Sequence, residues 1–244
     1  YDNVDLDYIK KNKISLLITA TANAVSVAEH VFYMMLYISK GFNKFDSEVR
    51  LGNFKKNSQK IKTFELNNKE ILIAGFGRIG RALSKRCSSF EMKMNIYDPY
   101  VDEKTINNCG GRKVSDFNLA LKTADYVSIH MPLTDKTKNI INYDNLKKMK
   151  KNSIIINTSR GSIINELDLD KALNENLIFG AGLDVFEKEP VDNNNPLLKN
   201  EKVFLSPHSA TFTEECKSKM SIETTKNIID FFEKKIDKSM IVKL

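Results

Sequence analysis

Short apolar runs alternate with stretches of helical periodicity along most of the chain. Runs of this length, bounded by glycines or polar residues, are typical of buried strands. They occupy residues 71–74, 92–97, 126–129, 153–157, 177–183 and 202–205. Between them, apolar residues recur every three or four positions, as they do on one face of a helix. Strands that alternate with helices predict an α/β fold with a doubly wound parallel sheet and right-handed crossovers.

The chain before the first of these runs predicts two helices and a strand. Residues 6–11 indicate a short helix, and residues 14–19 indicate a buried strand. Asn23 or Ser26 can cap the helix that follows, and Gly41 is placed to end it. This long helix is rich in methionine and aromatic residues, which indicates core or subunit packing.

Three further features lie outside the alternating pattern. His30 lies within the long helix, where a single histidine is usually a packing residue, so it receives no catalytic role here. Residues 42–66 are polar and weakly periodic, and they predict a surface arm that contacts another subunit, or else a plain loop. Residues 215–235 predict one long amphipathic helix.

The first strand of the alternating region leads into a glycine-rich turn and then a helix, with the sequence Gly75-Phe76-Gly77-Arg78-Ile79-Gly80. Gly75 permits a sharp turn, Gly77 lets the backbone approach a pyrophosphate, and Gly80 lets the helix pack closely on its strand. The helix N-terminus at Arg78 and Ile79 offers N–H groups and a partial positive charge to phosphates.

An acid completes this unit. Asp98 ends the next strand and follows Gly80 by 18 residues, near the spacing of a carboxylate that binds ribose hydroxyls. The glycine turn alone would be a weak signal, but strand, turn, helix and acid together predict dinucleotide binding. Because a carboxylate at position 98 would repel a 2′-phosphate, NAD is favoured over NADP.

The charge and composition exclude two classes of partner. The net charge is +7, but the lysines are scattered among acids, and the arginines at 50, 78, 81, 86, 112 and 160 do not cluster with aromatic residues. A nucleic-acid partner is therefore not predicted. The longest apolar stretch, residues 25–38, is shorter than a bilayer span and carries charge, so a membrane partner is not predicted either.

The three cysteines, at 87, 109 and 216, have no C-x-x-C spacing. They suggest neither a disulfide framework nor a metal site, and they are consistent with a reducing cytoplasm. The first residue, Tyr1, is not an initiator methionine, so we expect an N-terminal portion to be lacking.

Three predicted strands end at chemically useful residues. In a parallel sheet, ligands bind beyond the carboxyl ends of the strands, where Arg160, Glu189 and His208 would lie. Arginine can hold a carboxylate bidentately, histidine can exchange a proton near neutral pH, and a neighbouring carboxylate favours the imidazolium and orients its ring. Each residue alone could serve structure only. Together they predict reduction of a 2-keto acid beside a nicotinamide.

The sequence resembles the D-isomer-specific 2-hydroxyacid dehydrogenases. The matching stretches cover nearly the whole chain in the order of that family, and they are residues 23–30, 75–81, 97–100, 130–134, 156–161, 180–186, 189–190 and 206–208. The resemblance implies a Rossmann-type NAD-binding domain and interconversion of a D-2-hydroxy acid and its 2-keto acid.

The resemblance also implies roles for individual residues. The catalytic Arg, Glu and His of the family correspond to Arg160, Glu189 and His208. Cofactor contacts are implied at Gly75, Gly77, Arg78, Ile79, Gly80, Asp98, His130, Met131, Pro132, Thr158, Ser159 and Asp184. Asp184 would lie near the nicotinamide carboxamide.

The domain organisation follows from the same resemblance. Residues 1–22 would end a flavodoxin-like substrate domain, residues 23–208 would form the NAD-binding domain, and residues 209–244 would return to the substrate domain as a crossover helix. The family implies a homodimer formed through the NAD-binding domain. By comparison with the family, we expect most of the substrate domain to be lacking here, and Phe54 stands where the family commonly has tryptophan.

A second function on the same scaffold stays open at this point. Fold does not fix function, and a non-catalytic NAD-sensing protein, like the corepressors that resemble this family, would share the same turn and sheet. The complete Arg160, Glu189 and His208 set argues for the enzyme.

Overall fold

The computed structural model describes residues 4–54 and 60–243, and a seven-stranded parallel sheet forms its centre. The strands are β1 (Glu70–Ala74), β2 (Lys93–Tyr97), β3 (Gly111–Lys113), β4 (Tyr126–Ile129), β5 (Ile154–Asn157), β6 (Gly180–Leu183) and β7 (Val203–Leu205). Strands β1, β4, β5 and β6 are buried on both faces almost throughout, which is why they are apolar runs and not alternating patterns.

Helices connect the strands and extend the chain at both ends. Those described are α1 (Leu6–Lys11), α2 (Ala24–Lys40), α3 (Phe42–Arg50), α4 (Arg78–Ser89), α5 (Glu103–Asn107), α6 (Phe117–Thr123), α7 (Tyr143–Lys148), α8 (Glu166–Asn174) and α9 (Glu214–Phe232). Several of them have an N-cap residue whose side chain accepts a hydrogen bond from a backbone N–H in the first turn. Asp116, for example, accepts from the N–H of Leu119 at 2.9 Å.

The strand order is β3-β2-β1-β4-β5-β6-β7. The chain thus moves outward from β1 to β3, then crosses back to β4 beside β1 and continues outward in the other direction. The crevice at this reversal, between β1 and β4, is where such sheets bind their ligands. The predicted doubly wound, Rossmann-type fold is confirmed.

The core has two parts, one on each face of the sheet. On one face, side chains of α6, α7 and α8 pack against Leu72, Val127 and Ile155. On the other, α2 and α4 pack against Ile71, Ile73 and their neighbours, with Met34 and Met35 fully buried. The methionines of α2 therefore serve core packing, as their spacing predicts.

Two predictions from the pattern differ from the structure, and two elements were not predicted. Residues 14–19 form no strand and pair only through a single antiparallel bridge between Leu17 and Ile241. The polar segment after Gly41 is not a loop throughout, because Phe42–Arg50 is helical; residues 55–59 lie outside the described residues. Helix α5 and strand β3 lie in a stretch without a clear apolar run, which is why the pattern missed them.

The predicted C-terminal helix is present, but much of its apolar surface is exposed. Ile222, Ile229 and Phe232 are among its exposed side chains, whereas Cys216 and Asn227 are its buried ones. Of the helices in the described part of the chain, none combines the length and apolar character needed to cross a bilayer.

Candidate active site

The glycine turn after β1 has the geometry of a phosphate-binding turn. Gly75 has a φ of +99°, and a Cβ built there would lie 2.6 Å from the carbonyl oxygen of His130. A Cβ at Gly80 would lie 2.4 Å from the carbonyl oxygen of Gly75. At Gly77 a Cβ would meet nothing within 4 Å. Gly75 and Gly80 therefore hold the turn together, while Gly77 leaves space above it for a ligand.

The residues of this turn fit a dinucleotide pyrophosphate. Helix α4 begins directly after Gly77 and has no side-chain cap, so its first N–H groups and the positive end of its dipole face the space above the turn. The hydroxyl oxygen Oγ1 of Thr158, beyond β5, is buried without a hydrogen-bond partner. A buried polar atom without a partner at the carboxyl edge of the sheet is a further place where a bound cofactor can supply a hydrogen bond.

Asp98 at the end of β2 also supports the turn itself. Its Oδ2 accepts from the backbone N–H of Phe76 at 2.7 Å, and its Oδ1 accepts from that of Tyr100 at 2.8 Å. An ionised carboxylate offers about four acceptor positions, so both oxygens can still accept from ribose hydroxyls. The carboxylate thus joins the turn to the end of β2.

His130 follows β4 and continues the same edge. Its backbone N–H donates to the carbonyl of Ala74 at 2.7 Å, and its Nε2 lies 2.8 Å from Oγ of Ser128. Burial lowers the pKa of His130 to about 4. The ring is therefore neutral near pH 7, which suits a residue that lines a cofactor site and does not exchange protons there.

Asn157, at the end of β5, shapes the loop that carries Arg160. Its Nδ2 donates to the carbonyl of Arg160 at 2.9 Å, while its Oδ1 accepts from the N–H and the hydroxyl of Ser159 at 3.0 and 2.8 Å. Nη1 of Arg160 donates to the carbonyl of Ser159 at 2.7 Å. Asn157 is fully buried and was not singled out in the sequence. Its signal is a polar residue at the last position of an apolar run.

Glu189 and His208, although 19 residues apart, are in direct contact. Nδ1 of His208 lies 2.7 Å from Oε2 of Glu189, and the other carboxylate oxygen accepts from the backbone N–H of Phe186 at 3.0 Å. The histidine side chain is 48% exposed. Since Nδ1 is engaged by the carboxylate, Nε2 is the ring nitrogen available to a substrate.

Arg160 lies on the neighbouring loop. A Cβ at Gly161 would overlap the carbonyl carbon of Phe186, at 1.8 Å, so the loops after β5 and β6 touch through their backbones. The structure thus joins Glu189 to His208 directly and brings the loop of Arg160 against the loop of Glu189.

Asp184 occupies the centre of the loop that carries His208. Its side chain is fully buried; Oδ1 accepts from the Ser206 hydroxyl at 2.5 Å and from the Ser209 N–H at 2.8 Å, and Oδ2 accepts from the Ala210 N–H at 2.9 Å. These bonds position the loop from within the protein. A contact between Asp184 and the nicotinamide carboxamide stays a prediction.

Two glutamates, Glu166 and Glu187, hold the segment that carries Glu189. Oε1 of Glu166 accepts from the N–H of Glu187 at 2.6 Å, and Oε1 of Glu187 accepts from the N–H of Glu166 at 3.0 Å. Oε2 of Glu166 accepts from Nδ2 of Asn195. Burial raises the pKa of Glu166, partly offset by these donors. Sequence reasoning missed this clamp because its partners lie on different elements.

Within the described residues there is no group of three or more His, Cys, Asp or Glu side chains that could hold a metal ion.

The fold and the glycine turn define a dinucleotide-binding domain of the type that dehydrogenases use. Residues 32–210 match the family model described as "D-isomer specific 2-hydroxyacid dehydrogenase, NAD binding domain". The chain belongs to this family.

Individual relatives agree with the family match. The chain is 37% identical over 248 residues to a glyoxylate reductase of Thermococcus litoralis, covering 100% of this chain and 74% of the relative. It is 36% identical over 214 residues to a D-3-phosphoglycerate dehydrogenase of Methanocaldococcus jannaschii, covering 88% of this chain and 40% of the relative. A D-lactate dehydrogenase of Aquifex aeolicus, solved with NAD and lactic acid, superposes with a TM-score of 0.87 at 30% identity, covering 96% of this chain and 74% of that one.

These matches confirm three predictions from the sequence. The family, the NAD cofactor and the general function, an NAD-dependent dehydrogenase of 2-hydroxy acids, are as predicted. Nothing in the matches supports the alternative of a non-catalytic NAD sensor. The roles of individual site residues and the domain boundaries stay predictions.

Proposed function

We propose that this protein reduces a small 2-keto acid to the D-2-hydroxy acid, and catalyses the reverse oxidation, with His208 as the acid/base. The carrying observation is the 2.7 Å contact between Nδ1 of His208 and Oε2 of Glu189 on the carboxyl edge of the sheet. Bound NADH would supply the hydride that the substrate's carbonyl carbon receives.

His208 supplies the proton that balances this transfer. In the reduction, Nε2–H of the imidazolium donates to the substrate oxygen, which becomes the hydroxyl, and the neutral ring keeps its Nδ1–H on Glu189. In the oxidation, Nε2 takes the hydroxyl proton. Glu189 fixes the ring and the tautomer, because its carboxylate accepts from Nδ1. This acid/base pair favours catalysis over NAD sensing alone.

Arg160 would bind the substrate carboxylate. A guanidinium can hold a carboxylate with two parallel hydrogen bonds and at the same time polarise the neighbouring carbonyl. Its loop touches the backbone of Phe186, three residues before Glu189. Asn157 supports this role because its side-chain amide donates to the backbone carbonyl of Arg160 and so holds that residue in place.

NAD would be held along the carboxyl edge, from the glycine turn to the end of β6. The turn at Gly75, Gly77 and Gly80 and the N-terminus of α4 would bind the pyrophosphate, and Asp98 would bind the adenosine ribose and disfavour NADP. The segment from His130 to Pro132, the segment of Thr158 and Ser159, and Asp184 would complete the cofactor contacts.

The substrate is proposed to be a small acid such as glyoxylate or hydroxypyruvate. The support is the relatedness to the glyoxylate reductase of Thermococcus litoralis and to a hydroxypyruvate reductase of Thermotoga maritima, at 37% and 34% identity. Residues 1–22 would then end a substrate domain, residues 23–208 would bind NAD, and residues 209–244 would return to the substrate domain. The bridge between Leu17 and Ile241 supports this division, because it joins the two outer segments.

A homodimer is proposed through the surface formed by α2, α3 and the turn that follows α3. Exposed apolar side chains concentrate there, including Tyr33, Phe42, Val49, Leu51 and Phe54, at 49 to 72% exposure. Exposed apolar patches of this kind mark protein–protein contacts. The cytoplasm is the proposed location, which the three free cysteines support.

The test is turnover of the complete protein with a panel of 2-keto acids and NADH. We expect His208→Gln to lower kcat by about a hundredfold or more, because the proton donor is lost, with NADH affinity within about threefold of the parent. Glu201→Gln, at an exposed site outside this edge, is the matched control. Parent-like turnover of His208→Gln on the best substrate would refute the assignment.

A further inference from the structure

His30, half-buried on α2, reaches the loop that carries His208 through one hydrogen bond. Its Nε2 lies 2.9 Å from Oγ of Ser206 and 3.6 Å from Oδ1 of Asp184. Its side chain is 19% exposed. A largely buried imidazole needs a hydrogen-bond partner, and here that partner is a hydroxyl on the loop that carries His208.

The donor and the acceptor can be assigned for each hydrogen bond between His30, Ser206 and Asp184. Oγ of Ser206 donates to Oδ1 of Asp184, and that oxygen also accepts from the N–H of Ser209. A serine hydroxyl has one proton, which is used on the carboxylate. Oγ of Ser206 must therefore accept from His30, and Nε2 of His30 must carry a hydrogen.

Asp184 in turn holds the backbone at His208 and in the two residues after it. Its carbonyl accepts from the N–H of His208 at 2.7 Å, and its carboxylate accepts from the N–H groups of Ser209 and Ala210. His208 has a φ of +53°, in the left-handed region that residues other than glycine seldom adopt. Such a conformation persists only where surrounding contacts determine it, and here those contacts converge on Asp184.

Helix α2 holds this loop at two points. His30 bonds to Ser206, two residues before His208, and Oγ of Ser26 donates to the carbonyl of Ala210, two residues after it, at 2.6 Å. The two contacts lie one helical turn apart on α2, so a single rigid element brackets the histidine.

We propose that His30 is a positioning residue for His208. The Nε2–H of His30 fixes the Ser206 hydroxyl on Asp184, and Asp184 then fixes the backbone that keeps the imidazole of His208 on Glu189. The inference rests on the proposed role of His208 in the reaction.

Two variants of the complete protein separate positioning from packing. His30→Phe keeps a ring but loses the donor, whereas the side-chain amide of His30→Gln can restore it. We expect His30→Phe to lower kcat by about tenfold to a hundredfold, with the KM for NADH within about threefold, and His30→Gln to recover most of the loss. Leu119→Ala, at an exposed position on α6, is the control.

Imidazole ¹⁵N spectra provide a readout that does not depend on turnover. The chain has three histidines, so assignment is direct. We expect His30 to be the Nε2–H tautomer, and His30→Phe to shift the Nδ1 signal of His208 as its bond to Glu189 loosens. The Nδ1–H tautomer at His30, parent-like kcat and spectra in His30→Phe, or equal losses in both variants would each overturn the proposal. If His30→Phe fails to fold, the tautomer and His30→Gln decide. Parent-like turnover of His208→Gln would instead refute the acid/base role alone.

Discussion

Gly77 offers a substitution that should separate cofactor binding from folding. A methyl group at Gly77 would meet no atom within 4 Å, and the φ of −72° is accessible to alanine. At Gly80, by contrast, the methyl group would lie 2.4 Å from the carbonyl oxygen of Gly75. The two glycines belong to the same turn, so Gly80→Ala is a matched comparison for Gly77→Ala.

The magnitudes follow from these surroundings. Gly77→Ala should stabilise the folded state by about 0.4–1 kcal/mol, because alanine lowers the conformational entropy of the unfolded chain. Alanine is a poorer N-cap residue than glycine, and this costs a similar free energy. The free energy of unfolding should therefore change by less than about 1 kcal/mol. The methyl group would, however, occupy the space through which a pyrophosphate approaches the N-terminus of α4. Loss of one charge-assisted hydrogen bond costs about 1.5–3 kcal/mol, or roughly a tenfold to hundredfold rise in the Kd for NADH.

Gly80→Ala should behave in the opposite way. Because the backbone of the turn must move to relieve the overlap, we expect a loss of about 1–3 kcal/mol of folding free energy. Thermal unfolding and NADH fluorescence titration of both variants measure the two effects. A Gly77→Ala variant that binds NADH with the parent affinity, or that unfolds as readily as Gly80→Ala, would contradict the assignment of this space to the pyrophosphate.

Three further predictions concern groups around the site. Burial lowers the pKa of His130 from 6.5 to about 4, so between these pH values the folded state binds fewer protons than the unfolded chain. The free energy of unfolding should therefore fall by at most about 3 kcal/mol as the pH drops from 6.5 towards 4. Urea unfolding at a series of pH values should show this fall, and His130→Gln should reduce it. Glu166→Ala leaves the backbone N–H of Glu187 and the side-chain amide of Asn195 without their acceptor, so we expect the free energy of unfolding to fall by about 1–3 kcal/mol in the same assay. A fall no larger than that of Glu201→Ala would contradict the clamp. Asp98→Asn removes the charge that disfavours a 2′-phosphate, so the ratio of kcat/KM for NADH over NADPH should fall by about tenfold, and an unchanged ratio would exclude that role.

The sequence by itself determined the alternation of strands and helices, apart from α5 and β3, and the place of the glycine turn. Buried parallel strands are apolar on both faces, so residues 126–129 and 153–157 stand out in the sequence, and a turn such as Gly75 to Gly80 is read locally. Residues 14–19 form no strand, because apolar character alone does not supply a pairing partner, and their single bridge is to Ile241.

Only the tertiary structure decided which distant side chains meet. The contact of His208 with Glu189, the clamp of Glu166 on Glu187, and the link from His30 through Ser206 to Asp184 join residues that are 19, 21, 176 and 22 positions apart in the chain. Such contacts depend on the order of β5, β6 and β7 in the sheet and on the face of α2 that packs against them. Hydrophobic periodicity specifies which side of an element is buried, but it carries no information on the partner that its polar atoms meet.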